Sequence, residues 1–160
     1  MFSFVVESNG RIEKTAVYYN GEQLGGVKEV FFHISEEGDF DAIIHYRGVD
    51  NQDYSRTIFE GTLPAIKVVE PTFTEEEAMQ LRSIEIQSNG QLEDTIVYLD
   101  EEEQFGIVSV LIHIKSPTTE QKSGITGIFS KKKVLSGSAE CMAEITYRND
   151  DDTIETERIF

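Results

Sequence analysis

The side chains able to ligate a metal through nitrogen or sulfur are His33, His45, His113 and Cys141. No Cys-x-x-Cys pair and no His-Glu-x-x-His run is present, whereas a structural zinc takes four ligands and a catalytic one usually three. If the chain turns back around Glu36-Glu37-Gly38, His33 and His45 become diagonal neighbours on one sheet face and could share an ion. The matching place in the second half of the chain holds Thr146, so solvated or hydrogen-bonded histidines are the simpler reading. Asp50-Asn51-Gln52-Asp53 and Asn149-Asp150-Asp151-Asp152 gather oxygen ligands, but the spacing of a twelve-residue calcium loop is absent, and Asp/Asn-rich hairpin tips are ordinary turn chemistry.

A nucleophile is equally hard to find. There is no Gly-x-Ser-x-Gly elbow, and Cys141 falls in a strand pattern where a small buried hydrophobe is expected. Gly25-Gly26 is not a phosphate loop, because no Gly-Lys-Ser/Thr follows and a strand comes next. With 30 Asp and Glu in the chain, some pair of carboxylates will approach dyad spacing by chance. The expectation is therefore a non-enzymatic protein without metal or other cofactor.

What the charged residues can do is bind. The 160 residues carry 30 acidic against 14 basic side chains, a net charge of -16, spread as -6 over residues 1–60, -3 over 61–81 and -7 over 82–160. Such a charge repels nucleic-acid phosphate and anionic membrane and attracts a basic protein surface. Asp100, Glu101, Glu102 and Glu103, with Asp150, Asp151 and Asp152, are the dense clusters that would present carboxylates to such a partner, in the manner of an inhibitor that mimics nucleic acid. Lys131, Lys132 and Lys133 form the single basic run. It reads as a loop tip that keeps the flanking apolar stretches from aggregating, or as the tip of an extra hairpin that grips a partner. Two alternatives stand beside this reading: a carrier with an apolar cavity between β repeats, and a structural or assembly module of a mobile genetic element.

The elements that must position these residues come from a repeat. At an offset of 80, Ser3-Phe4-Val5-Val6-Glu7-Ser8-Asn9-Gly10 overlies Ser83-Ile84-Glu85-Ile86-Gln87-Ser88-Asn89-Gly90. The match continues through Thr15/Thr95, Tyr18/Tyr98, Gly26/Gly106, Val30/Val110 and His33/His113. Beyond position 115 the offset becomes 101, matching Ala42, Ile44, Tyr46, Arg47, Ile58 and Phe59 to Ala143, Ile145, Tyr147, Arg148, Ile159 and Phe160, so the second copy carries 21 extra residues. The reading is a duplication: repeat one at 1–60, a linker at 61–81, and repeat two at 82–160 with an insertion at 116–138.

Apolar and polar residues alternate within each copy, and Asn-Gly turns punctuate the runs, which predicts an all-β, antiparallel meander. Five strands per copy are expected, near 2–8, 13–19, 27–35, 40–48 and 53–60, and near 82–88, 93–99, 106–115, 139–148 and 153–160. They would pack as a sandwich or barrel with the copies related by a pseudo-twofold axis. Alternation assigns Val30, Phe32, Ile34, Ala42, Ile44 and Tyr46 to the core, with Val110, Ile112, Ile114, Ala143, Ile145 and Tyr147 as their counterparts. The insertion is expected to be the most divergent or mobile part.

In the linker, residues 64–71 read as extended, with prolines that exclude a central strand. Thr74-Glu75-Glu76-Glu77 has capping-box form and predicts one short helix near 75–81. The longest apolar runs, such as Val30-Phe31-Phe32, fall far short of the roughly 20 residues that cross a bilayer, and the start Met1 to Glu7 has no secretory pattern, so a cytoplasmic protein is expected.

Overall fold

The computed structural model describes residues 1–121, 133–136 and 139–160. In chain order the first half contributes β1 (Phe2–Ser8), β2 (Ala16–Tyr19), β3 (Glu22–Gly25), β4 (Val27–Ser35), β5 (Phe40–Arg47) and β6 (Asp53–Thr57). The linker holds β7 (Lys67–Val69) and α1 (Glu75–Ala78). The second half contributes β8 (Arg82–Ser88), β9 (Ile96–Leu99), β10 (Glu102–Glu103), β11 (Ile107–Lys115), β12 (Thr118–Gln121), β13 (Lys133–Ser136), β14 (Glu140–Arg148) and β15 (Ile154–Arg158).

Two antiparallel sheets carry the fold. One runs β10-β9-β8-β1-β2-β3-β7, the other β15-β14-β11-β4-β5-β6, and neither closes on itself into a barrel. In each sheet the middle ladder joins the two halves of the chain. In β1·β8, Val5 faces Glu85, and in β4·β11, Phe32 faces Ile112; each pair is the same position in the two halves at the offset of 80. Bulges recur at that offset too, between Val27 and Glu29 and between Ile107 and Ser109.

The inward faces meet in one hydrophobic core, because strand alternation sends every second residue to the same side. Phe4, Val6, Ile84 and Ile86 from the first sheet pack with Val30, Phe32, Ile44, Val110, Ile112 and Ile145 from the second, and all are fully buried. Each such side chain contributes roughly 1.5–3 kcal/mol by leaving water. Eleven of the twelve residues that alternation assigns to the core are buried; the other, Tyr147, is only partly buried, and its hydroxyl donates to Gln104 Oε1 at 3.0 Å.

The expected five-strand meander does not form: β1-β2-β3 lie in one sheet and β4-β5-β6 in the other, and β8-β9-β10 part from β11, β14 and β15 in the same way, so the chain changes sheet between β3 and β4 and between β10 and β11. Local structure departs further where the apolar pattern is weak. The runs expected near 13–19 and 93–99 begin as 3₁₀ turns, Ile12–Lys14 and Leu92–Asp94, before β2 and β9 start. Short strands β3 and β10 follow them, so outside the insertion each half has one more strand than the alternation reveals. The extended linker segment becomes β7 at the edge of the first sheet, consistent with its flanking prolines. The capping box forms: Thr74 Oγ1 accepts from the Glu77 amide at 3.2 Å, and the helix stops at the Met79 cap, four residues long. The 116–138 insertion contains β12 paired to β13, and its residues 122–132, with Lys131 and Lys132, and 137–138 lie outside the described residues. No helix among the described residues is long and apolar enough to cross a membrane.

Candidate functional site

The β9–β10 turn is the first acidic cluster. Asp100 and Glu101 both have positive φ, +49° and +71°, as Asn20 and Gly21 do at +50° and +84° in the first half. This is the backbone of a tight hairpin, which Asn-Gly satisfies without strain and Asp-Glu does not. Asp100 is consumed by the turn: Oδ1 accepts from the Ser83 amide at 2.9 Å and Oδ2 from Arg82 Nε at 2.8 Å, as Asn20 Oδ1 accepts from Ser3 at 3.0 Å. Glu101 stands where the first half has glycine. Glu101→Gly is expected to raise stability by about 1 kcal/mol, read as a higher denaturation midpoint with an unchanged slope.

Glu102 and Glu103 form β10 and are exposed. The segment then runs on through Gln104 and Phe105, a residue 75% exposed, to the bend at Gly106. Gln104 is held on three sides: its amide donates to Val97 at 2.8 Å, its Nε2 to the Glu102 carbonyl at 2.9 Å, and its Oε1 accepts from Tyr147. Phe105 is thus presented on a fixed backbone.

Two clefts flank it. The first, about 370 Å³, lies at the seam between the sheets and is walled by Ile34, Glu36, Val97, Glu103 and Ile107 along with Phe105. The second, about 670 Å³ and open, is walled by Tyr147, Arg148, Asp150, Asp151 and Glu157 along with Phe105. The β14–β15 turn therefore brings Asp150 and Asp151 to one of the clefts that Phe105 walls, while Glu103 lines the other. Asp151 is held below the usual carboxylate range by hydrogen bonds from the Thr153 hydroxyl and amide, so it stays ionised into acid. Asp152 is exposed at the turn with φ +64°. The cation on this surface, Arg148, is paired with Glu36.

Of the seven carboxylates read from sequence, Glu103, Asp150 and Asp151 gather around Phe105. Asp100 and Glu101 instead border a separate cleft of about 520 Å³ with α1 and Glu7. Glu102 and Asp152 line none of these clefts. Lys133 opens β13, opposite Gln121. Phe105 was not visible as a candidate. A lone aromatic after Glu101-Glu102-Glu103-Gln104 carries no periodic signal, although its counterpart, Gly25, marks the position as one where the halves differ.

The first cleft has a counterpart in the other half. A cleft of about 180 Å³ is walled by Ile12, Gln23, Leu24, Val27 and Ile114, the residues equivalent to Leu92, Glu103, Gln104, Ile107 and Ile34. It is the smaller of the two. There β7 lies against β3, Gln23 hydrogen-bonds to Thr72 of the linker, and both Gln23 and Leu24 are buried. Among the described residues nothing pairs with the corresponding edge of β10.

The histidines do not assemble as the diagonal pair considered above. Register sets His33 opposite Asp41 and His45 opposite Glu29, because the strands turn back through Ser35–Asp39 with Phe40 opposite Ile34. His113 instead lies between Glu29, 2.8 Å from its Nε2, and Glu140 at its Nδ1. No group of three or more His, Cys, Asp or Glu side chains is gathered as a metal site among the described residues. In the Asp50–Asp53 turn the carboxylates already have partners: Asp50 accepts from Tyr54 and the Gln52 amide, and Asp53 pairs with Arg47 and Lys28, which hold it down at about 2. Cys141 is buried, with Sγ 3.2 Å from Ser8 Oγ and from Thr15 Oγ1.

Glu7, on β1 beside the α1 cleft, has a buried Oε2 without a hydrogen-bond partner, and desolvation raises its carboxyl above the usual range. Burial thus favours the neutral form more in the folded chain than in the unfolded one. Stability from this group is present below the unfolded carboxyl pKa and is lost as pH rises through the higher folded value. Denaturant unfolding of Glu7→Gln should therefore match the wild type near pH 4 and exceed it increasingly toward pH 7. Gln87, the equivalent residue, is the neutral amide this variant would copy.

Compared with protein families, curated proteins and solved structures, the chain matches none of them significantly.

Proposed function

We propose that this chain is a non-enzymatic, acidic interaction module that docks on a basic surface of a partner protein. The observation that carries the reading is the Phe105 surface, where an exposed aromatic residue walls two clefts that also carry carboxylates, in a molecule of net charge -16. An aromatic anchor inside a polar rim is the usual anatomy of a protein interface. Carboxylates on either side add attraction at long range, which raises the association rate and makes it fall with salt.

The test is charge reversal. Immobilised wild type, exposed to extract of its native host at low and at raised salt, should retain basic proteins that salt releases. The triple variant Glu103→Lys, Asp150→Lys, Asp151→Lys should lose them. A triple reversal at the exposed residues Glu37, Glu70 and Glu93 changes net charge equally and should keep most of them. Equal loss by both variants would mean that total charge, not this surface, does the binding. Co-purification of an apolar ligand without a salt-sensitive protein would favour the carrier reading.

We infer also that residues 1–60 and 82–160 are two copies of one β unit, joined through 61–81 and packed as a two-sheet sandwich around a pseudo-twofold axis. In support, Val5/Glu85 and Phe32/Ile112 pair with their own equivalents, as residues on such an axis must, and every residue walling the smaller seam cleft has its equivalent in the larger. Contacts cross between halves reciprocally: Gly10 lies against Phe160 and Gly90 against Phe59.

A further inference from the structure

We propose that the outer edge of β10 is a strand-addition site for an extended, basic segment of the partner protein, occupying the place that β7 takes beside β3. The proposal rests on the interaction reading above and states how the partner is held.

The two halves differ at one edge. β3 is covered by β7 in the register Gln23↔Val69, Leu24↔Val68, Gly25↔Lys67, whereas the equivalent Glu103, Gln104 and Phe105 have no strand beside them among the described residues. The consequence shows in burial: Gln23 and Leu24 are buried, Glu103 is exposed and Gln104 only half-buried. The edge is in a state to pair. The Gln104 amide points inward to Val97, so by strand alternation the amides of Glu103 and Phe105 point outward. An exposed edge of this kind is a template for another chain.

The equivalence also says which segment fits. The residue in the Val69 place lies opposite Glu103, and the residue in the Lys67 place lies opposite Phe105. A Cβ on Gly25 would meet Val69 Cγ1 at 2.8 Å and the Lys67 stem at 3.2 Å. Phe105 therefore fills space that Val69 and the Lys67 stem use in the first half; the rigid branch of a Val69-like residue cannot turn away from it, whereas a flexible, unbranched stem can. Lysine or arginine satisfies both demands, pairing with Glu103 at one place and lying over the Phe105 ring at the other. The segment reads basic-x-basic. Asp150 and Asp151, which share a cleft with Phe105, add the same preference.

The probe is a ten-residue peptide of alternating lysine and alanine, titrated against the whole protein at low salt with fluorescence anisotropy and amide exchange as readouts. Binding is expected, with new protection at the Glu103 and Phe105 amides. Methylating the lysine backbone nitrogens, which would pair with β10, should weaken binding by about tenfold or more, whereas methylating the alanine nitrogens should leave it. Glu103→Pro and, as a second variant less able to disturb the turn, Phe105→Ala should each weaken the parent peptide. Equal binding of both methylated peptides, or protection appearing elsewhere, overturns strand addition while leaving charge-driven docking intact. Failure of the parent peptide to bind overturns strand addition as well, and the charge-reversal capture then decides the broader reading separately.

Discussion

Replacing Phe59 by alanine is expected to cost about 3–5 kcal/mol, the range for removing a fully buried aromatic side chain. Phe59 is 1% exposed and stands edge-on to three other rings: Phe4 at 6.3 Å, Phe32 at 6.2 Å and Phe40 at 6.3 Å. Phe4 belongs to one sheet, Phe32 and Phe40 to the other, so the ring ties the layers together. It reaches them from a backbone at φ +74°, an arrangement a bulky residue adopts only where surrounding packing compensates. Alanine keeps the unfavourable φ and loses the contacts. Phe59→Leu should cost less than Phe59→Ala. A fall in the urea midpoint with unchanged slope is the expected signature; a shift below about 1 kcal/mol would mean the core closes without this ring.

The second large effect concerns the glycines before the long strands. Gly26 has φ +72° and Gly106 +68°, and each carbonyl accepts a bond from the arginine across the bulge, Arg47 or Arg148, at 2.8 Å. A Cβ at Gly26 would lie 2.5 Å from the Arg47 carbonyl oxygen, a backbone atom that cannot swing aside, and one at Gly106 would lie 3.1 Å from that of Arg148. Left-handed backbone alone costs a non-glycine residue about 1–2 kcal/mol. Gly26→Ala should exceed that range because the β4–β5 bulge must also open, and Gly106→Ala should stay near it. Equal destabilisation of the two variants would show that the closer approach is relieved without cost.

The long strands and their inward residues were legible because the alternation is strong and occurs twice, as at Val30-x-Phe32-x-Ile34 and Val110-x-Ile112-x-Ile114. The capping box was legible because Thr74 and Glu77 carry its chemistry in their own side chains. β3 and β10 were not, since Glu-Gln-Leu-Gly and Glu-Glu lack a two-residue period; their strand character comes from backbone ladders with β2, β7 and β9. β7 needed β3 as a template to become more than an extended linker.

The site follows the same division. Asp100 to Glu103 and Asp150 to Asp152 stand out as composition, but which of them face one another depends on the β8–β9–β10 and β14–β15 ladders. The turn role of Asp100 had a signal available, since aligning Asn20-Gly21 with Asp100-Glu101 marks it as a hairpin residue. The separation of His33 from His45 had none, because the register of β4 on β5 decides it.

The central claim, that a basic partner docks at the Phe105 surface, is tested most directly by a photo-crosslinking phenylalanine analogue placed at position 105 in the living host. The same analogue at position 79 serves as reference, because Met79 is 85% exposed beside the other acidic cleft, next to α1. A discrete crosslinked species is expected at position 105, containing a basic protein and absent at position 79. No species at position 105, or the same species at both positions, would contradict it.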